Sequence, residues 1–299
     1  MVSIRVTERS IATNVLANLQ TNIAKLGDTQ NRLSSGKQLT KASDAPGDAV
    51  LAMQYRSDMT NLQQYSRNAD DGISWLNTAD TALTSAVEQV NRAKELVLSG
   101  MSSGSGGSQD ARDAIALEMD NIRESVLNLA NTQYLDRPVF GGTTTGQIAY
   151  NDDGTYAGDT GQVQRTVGPS AKIRVDTPAE GPNGVFGTGN TQIFGLLKQI
   201  SDDLRTNPAN LEDDLGKLNQ ATTTMQAGLS SVGARVNRLT QLQNYADSRV
   251  IDLTNQVSTV EDIDLPKTIT ELTLQQTAYQ AALAATAKVV QPSLVDFLR

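Results

Sequence analysis

The chain offers little of the chemistry that enzymes need. Its 299 residues include no His and no Cys. No imidazole is available for proton transfer near neutral pH, and no thiolate for nucleophilic attack or soft-metal ligation. Three acidic or glycine-rich stretches remain as candidates, and each reads better as structure. Glu212-Asp213-Asp214 falls in the first turn of a helical segment, where carboxylates complement the helix dipole better than they would hold a metal. Asn151-Asp152-Asp153-Gly154 lacks EF-hand spacing and has that of a hairpin turn. Ser102-Ser-Gly-Ser-Gly-Gly-Ser108 has no strand before it and no Gly-Lys-Ser/Thr after it, so it reads as a flexible turn rather than a phosphate loop. Ser/Lys catalysis lacks a strand–turn–helix elbow. No catalytic, cofactor-binding or metal-binding residue is expected, and the chain reads as a non-enzyme.

Charge narrows the partners. Lys and Arg total 25 against 33 Asp and Glu, a formal charge of −8. Phosphate backbones and anionic lipid surfaces both call for a basic face, so neither nucleic acid nor membrane is an expected partner. The N-terminus has no continuous apolar stretch of the signal-peptide kind, so any export is expected to proceed without a cleaved signal. Aromatic residues are few, with one Trp, seven Tyr and four Phe. Ala, Ser, Thr, Asn and Gln dominate instead, a mixture suited to long helices with narrow apolar seams.

The elements follow from periodicity. Ala12, Leu16, Leu19, Ile23, Leu26, Gln30 and Leu33 advance in steps of four and three, a heptad seam that stops at Ser34-Ser-Gly36. A second helix opens at Pro46 and carries Leu62, Ala69, Ile73, Leu76, Leu83, Val87, Val90 and Val97, with Gly72 as a local weakness. A third carries Ile115, Met119, Ile122, Val126 and Leu129. Twelve of the 23 Gly and three of the eight Pro then fall between Gly141 and Gly195, which marks a non-helical insert with strand fragments at 147–150 and 172–176. Asn207-Pro208 opens the longest seam, fifteen positions from Leu211 to Val260, about 75–80 Å of helix. A final heptad segment holds Ile269, Leu272, Gln276, Tyr279, Leu283 and Val290 and is expected to close at Pro292.

The expected fold is mainly α: a long antiparallel helical bundle or coiled-coil rod formed by the N- and C-terminal segments, with a small β-rich inserted domain. Three regions are expected. Residues 1–40 with 265–299 form a terminal coiled-coil segment, disordered in the monomer because each half has too narrow an apolar face to stand alone. Residues 41–140 with 190–264 form the helical rod. Residues 141–189 form the insert.

Several stretches resemble the flagellin superfamily: Leu33-Ser-Ser-Gly-Lys37, Ala42-Ser-Asp-Ala-Pro-Gly47, Ser66-Arg-Asn-Ala-Asp-Asp-Gly-Ile-Ser-Trp-Leu76, Leu129-Ala-Asn-Thr132 and Phe140-Gly-Gly-Thr143 in the first half, with Val232-Gly-Ala-Arg-Val-Asn-Arg-Leu239, Val260-Glu-Asp-Ile-Asp264 and Ala278-Tyr-Gln-Ala-Ala-Leu283 in the second. Within the superfamily the ending Ser293-Leu-Val-Asp-Phe-Leu298, the short insert running into Gly184-Val-Phe-Gly187, and Trp75 are similar to the hook–filament junction branch, whereas Arg299 is similar to filament subunits.

The resemblance implies a structural subunit of the bacterial flagellum, joining hook to filament by self-assembly into a helical tube. The alternatives are a filament subunit or a free coiled-coil binding protein. The implied partners are further copies of the chain, an adjacent hook-associated protein, flagellin, a cytoplasmic export chaperone and the flagellar type III export apparatus. The implied location is the flagellum, outside the cell. The residues expected at the assembly interface are Leu16, Leu19, Ile23, Leu26, Leu33, Ile269, Leu272, Tyr279, Leu283 and Val290. The chaperone is expected on the tail, at Leu294, Val295, Phe297 and Leu298. Arg67, Asp70 and Asp71 are open to two readings, an inter-subunit ion-pair set or a solvated helix face.

Overall fold

A computed structural model describes residues 8–102, 108–179 and 184–296, with side chains for 13–101, 108–179, 184–189 and 191–287. Six helices dominate: α1 (Glu8–Ser35), α2 (Pro46–Ser102), α3 (Gln109–Ala130), α4 (Ile193–Thr206), α5 (Leu211–Glu261) and α6 (Leu265–Asp296). Two small antiparallel ladders accompany them, β1 (Gln133–Tyr134) with β2 (Arg137–Pro138), and β3 (Gln164–Thr166) with β4 (Lys172–Arg174). The fold is mainly α, as the heptad patterns require.

The chain divides into two compact units, the first from residues 1–60 and 250–299 and the second from 61–249. The α5 seam behaves in both as its spacing predicts: Leu211, Leu218, Thr222, Met225, Val232, Leu239, Ala246 and Leu253 are buried, and the seam positions between them are half-buried.

The second unit holds a continuous apolar core. Leu76, Leu83, Val90 and Val97 of α2 share it with Met119 and Val126 of α3, with Leu197, Ile200 and Leu204 of α4, and with Met225, Val232 and Leu239 of α5. Helix α4 is an element that periodicity did not delimit, because it is short and abuts the glycine-rich insert. It binds α3 through Ser201 Oγ donating to Ala116 O (3.1 Å) and through an Arg205–Asp120 ion pair (2.8 Å). Gly72, which weakens α2 on propensity, has a packing reason: a Cβ there would lie 3.0 Å from Val175 Cγ1 and 3.1 Å from Leu239 Cδ1.

The insert carries less ladder than expected. Its strands are β3, β4 and a single bridge between Tyr150 and Tyr156. The turn between those tyrosines forms at Asn151–Thr155, with Gly154 at φ +89° and its N–H donating to Asn151 O (2.8 Å). Aromatic packing compensates for the sparse backbone pairing. Phe186 meets Phe140 edge to face at 5.1 Å between ring centroids, and Tyr150 lies 4.7 Å from Phe194. Pairs of this kind are worth about 0.5–1.5 kcal/mol beyond burial. Three of the four Phe are thus concentrated under the insert.

In the first unit, α1 and α6 pack against each other. Pro292 does not close α6, which runs on to Asp296. A proline removes one N–H donor without forcing termination.

Candidate assembly surface

The pair α1–α6 is positioned by a clasp between the residues that follow α1 and those that precede α6. Helix α1 ends where Gly36 takes φ +70°. Lys37 then pairs as a single antiparallel bridge with Asp262, flanked by Gln38 N–H donating to Glu261 O (2.6 Å) and Ile263 N–H donating to Gly36 O (3.1 Å). Lys37 Nζ lies 2.5 Å from Asp262 Oδ1 and 3.5 Å from Glu261 Oε2. Arg56 on α2 donates to the buried Glu261 carboxylate at 2.7 Å. Asp264 accepts from Lys267 N–H (3.1 Å) and caps the first turn of α6. On the other side, Asp44 closes its own loop by accepting from Thr40 Oγ1 (2.9 Å) and Lys41 N–H (3.0 Å), just ahead of Pro46.

The clasp shifts its own ionisable groups. The Lys37 ammonium is held above its ordinary value, first by its hydrogen bond to Asp262 and against the cost of burial. The Asp262 carboxyl is held below its ordinary value by Lys37 and then by Ser258. Asp44 is likewise lowered, chiefly by Thr40. Each carboxylate is stabilised in the form that makes the contact.

The expected interface residues divide into two sets. Leu19, Leu26, Leu33, Leu272 and Tyr279 are half-buried. Leu16, Ile23, Ile269 and Leu283 remain 59%, 50%, 51% and 44% exposed. A recess of about 210 Å³ lies between the helices, lined by Val15, Asn18, Leu19, Ala282, Ala285 and Thr286. Phe297 and Leu298 lie outside the described residues. For Val290, Leu294 and Val295 only the helical backbone is described.

Further exposed apolar side chains belong to the same unit and were missed from sequence: Val50, Met53, Ile251, Leu265 and Leu274. They sit off the heptad positions, so the seam did not select them. Their one sequence signal is their type, an apolar residue on a polar face.

The Arg-Asn-Ala-Asp-Asp stretch serves the insert. Arg165 Nε donates to Asp71 Oδ2 (2.5 Å), Tyr134 Oη donates to Asp71 Oδ1 (3.3 Å), and Asn68 Nδ2 donates to Thr166 O (2.7 Å). Arg137 and Arg165 lie 5.6 and 5.9 Å from the ring centre of Trp75, which is buried. Arg67 is exposed and bonds Gln64 (2.8 Å). Two other motif residues reach the insert as well. Asn131 Oδ1 accepts from Ala149 N–H and Tyr150 N–H, both at 2.8 Å. Arg235 Nη1 donates to Asp176 O (2.7 Å).

No helix among the described residues is long and apolar enough to cross a membrane. No group of three or more acidic side chains suited to a metal occurs among them either.

This arrangement is a helical scaffold in which helices α1 and α6 pair in one unit and a second unit packs around its own core. Comparison with known proteins gives it a family. The bacterial flagellin N-terminal helical region matches residues 6–145, and the flagellin C-terminal helical region matches residues 215–298. The chain belongs to the bacterial flagellin family. It is 24% identical over 296 residues to flagellar hook-associated protein 3 of Escherichia coli (strain K12), covering 90% of this chain and 91% of that one. It is 23% identical over 300 residues to a flagellin of Bacillus subtilis (strain 168), covering 96% of each. The solved flagellar hook associated protein-3 of Legionella pneumophila shares its fold, with a TM-score of 0.61 at 13% identity over 70% of this chain and 98% of that one.

Proposed function

We propose that the chain is a structural subunit of the bacterial flagellum that forms the junction between hook and filament. Membership of the flagellin family supports a flagellar subunit, and the nearly full-length likeness to a hook-associated protein 3 supports the junction. The observation that carries self-assembly is the α1–α6 pair, which leaves Leu16, Ile23, Ile269 and Leu283 facing water in the single chain. Further copies of the chain cover that row in the tube. The neighbours along the tube are an adjacent hook-associated protein on one side and flagellin on the other.

The α1–α6 pairing of the structure is the assembled arrangement, and in the free chain these two segments come apart and zip together on incorporation. Little large apolar surface is buried between α1 and α6, which supports this order of events. A cytoplasmic chaperone covers the C-terminal segment until the flagellar type III apparatus exports the chain, without a cleaved signal, to its place on the outside of the cell. Leu294, Val295, Phe297 and Leu298 are the contacts assigned to that chaperone.

Immunogold labelling of isolated flagella tests the reading. A single band at the hook–filament boundary is expected, and cells lacking the protein should carry hooks without filaments. The second reading, a filament subunit, is favoured by the 96% mutual coverage with a Bacillus subtilis flagellin. It requires label along the whole filament.

A further inference from the structure

Helices α1 and α6 run antiparallel. The clasp joins the end of α1 to the start of α6, and one recess brings Val15 and Leu19 to Ala282 and Thr286. Those four residues are half-buried and mark the inner stripe of each helix. Successive residues on a helix turn by about 100°, so the two neighbours of an inner residue fall on opposite flanks. Leu16 and Leu283 each follow an inner residue, as do Ile23 after Asn22 and Ile269 after Thr268. Asn18 and Ala285 each precede one, and both line the recess. In an antiparallel pair the following positions of both helices share one side, and the preceding positions share the other. The pair therefore has two unlike flanks. One is a ridge of exposed Leu16, Ile23, Ile269 and Leu283, and the other holds the recess, walled on the α6 side by Ala282 and Ala285. Leu16 and Leu283 stand level with the recess, since each adjoins a residue that lines it.

We propose that the ridge of one copy of the chain seats in the recess of a second copy, with Leu16 and Leu283 as the side chains that enter it. The proposal rests on the self-assembly reading above and names the surface that receives the exposed row. Three observations point to a second copy as the occupant. The recess, at about 210 Å³, has room for a branched aliphatic side chain, given that a cavity of about 150 Å³ takes a benzene. No charged residue lines it, so an apolar side chain enters without stripping water from an ion. The first unit also carries 10 basic and 11 acidic residues, against 15 and 22 in the second, so copies of the first unit can lie side by side with little net repulsion.

The consequence is geometric. A ridge on one flank and a recess on the other make the contact heterologous. It repeats from copy to copy instead of closing in a two-fold dimer, and contacts of that kind build rings or open helices.

The test supplies the full chain to cells that lack it and reads isolated flagella. The protein has no Cys, so each introduced thiol reports a single site. Asn18→Cys marks the recess, and Gln20→Cys marks the ridge one turn on from Leu16; both replace exposed polar residues. Flagella built from a mixture of the two variants and treated with a short bismaleimide should give cross-linked dimers of the chain, and flagella built from either variant alone should not. A second arm changes size. Ala285→Leu fills the recess and should cut incorporation about tenfold, the effect of overpacking a contact. Adding Leu16→Ala to Ala285→Leu should recover most of that loss, which a folding defect would not allow. Dimers from Gln20→Cys alone, or cross-links from Asn18→Cys only to a different protein, overturn the proposal and leave the self-assembly reading in place. So does normal incorporation of Ala285→Leu where Leu16→Asp blocks it. Normal incorporation of Leu16→Asp overturns both together.

Discussion

The two units are built from the same kind of helix and end with opposite surfaces. In the second unit α2, α3, α4 and α5 converge with the insert on one core, and Trp75, Phe140, Tyr150, Phe186 and Phe194 are all buried within it. In the first unit Ala52 and Leu253 are the only fully buried apolar side chains among the described residues. Leu16, Ile23, Val50, Met53, Ile251, Ile269 and Leu274 there stay half exposed or more. Ordering a residue costs about 1–2 kcal/mol of backbone entropy, and burial is the main term that offsets it. The second unit meets that cost by itself. The first unit is left with exposed apolar surface, which under the proposed function is the surface that other subunits cover.

The contrast is sharpest in a substitution that should spare one unit and disable the other. Leu26→Asp places a carboxylate in the half-buried α1 seam, at a cost of several kcal/mol when unpaired. Incorporation into flagella should be lost, while the urea midpoint read by Trp75 stays at the parental value. Limited proteolysis of the dilute parent chain should likewise trim both ends and leave a resistant core from about Lys41 to Asp262. Normal assembly of the variant, or protease-resistant ends in the monomer, breaks the comparison.

The reciprocal experiment removes core volume. Phe194→Ala should destabilise the second unit by about 3–5 kcal/mol, because Phe194 is fully buried against Tyr150 and Phe186. Leu283→Ala, at an exposed site of the first unit, should leave monomer unfolding within about 0.5 kcal/mol of the parent and lower assembly instead. Equal effects on monomer stability would show that the two units share one cooperative core.

A smaller effect belongs to the clasp. Arg56→Ala strips a hydrogen bond from a buried Glu261 and should cost the α1–α6 pairing about 1–3 kcal/mol, measured as a raised critical concentration for assembly. The pH dependence has two sides. The Asp262 contribution is present above the unfolded carboxylate value, roughly 3.9, and is lost as pH falls through the lowered folded value. The Lys37 contribution is present below roughly 10.4 and is lost as pH rises through the raised folded value. Assembly should therefore hold across the neutral range and weaken at both extremes.

The smallest effect tests how much strain the second unit carries. Leu135 and Asp136 turn the β1–β2 hairpin at φ +49° and +59°, a region costly for Leu, and Leu135 is 75% exposed. Leu135→Asn should raise stability by up to about 1 kcal/mol, because Asn tolerates that conformation and no packing is lost. The urea midpoint reads the gain directly.

Much of the fold was legible from spacing alone. The α5 seam predicted its buried face position by position from Leu211 to Val260, because a helix repeats its own geometry regardless of context. The hairpin at Asn151–Thr155 was legible from its turn residues for the same local reason. Helix α4 was not, since fourteen residues beside a glycine-rich stretch give too short a period to outweigh the breakers. Nor was the division of the terminal seam into covered and uncovered residues.

What the sequence determined by itself is what depends on neighbours along the chain: helix type and phase, turns, the absence of imidazole and thiol chemistry, and the motifs that resemble a family. What only the tertiary structure decided is which distant residues meet. Lys37 and Asp262 stand 225 positions apart and close one clasp. Asp71 waits 94 positions for Arg165. Asp214, which reads as a helix-end carboxylate, is fully buried, and Gln199 of α4 donates to it. A charge in a sequence carries no record of its solvation, and solvation decides whether that charge is a surface ornament, a tie or a proton-binding site.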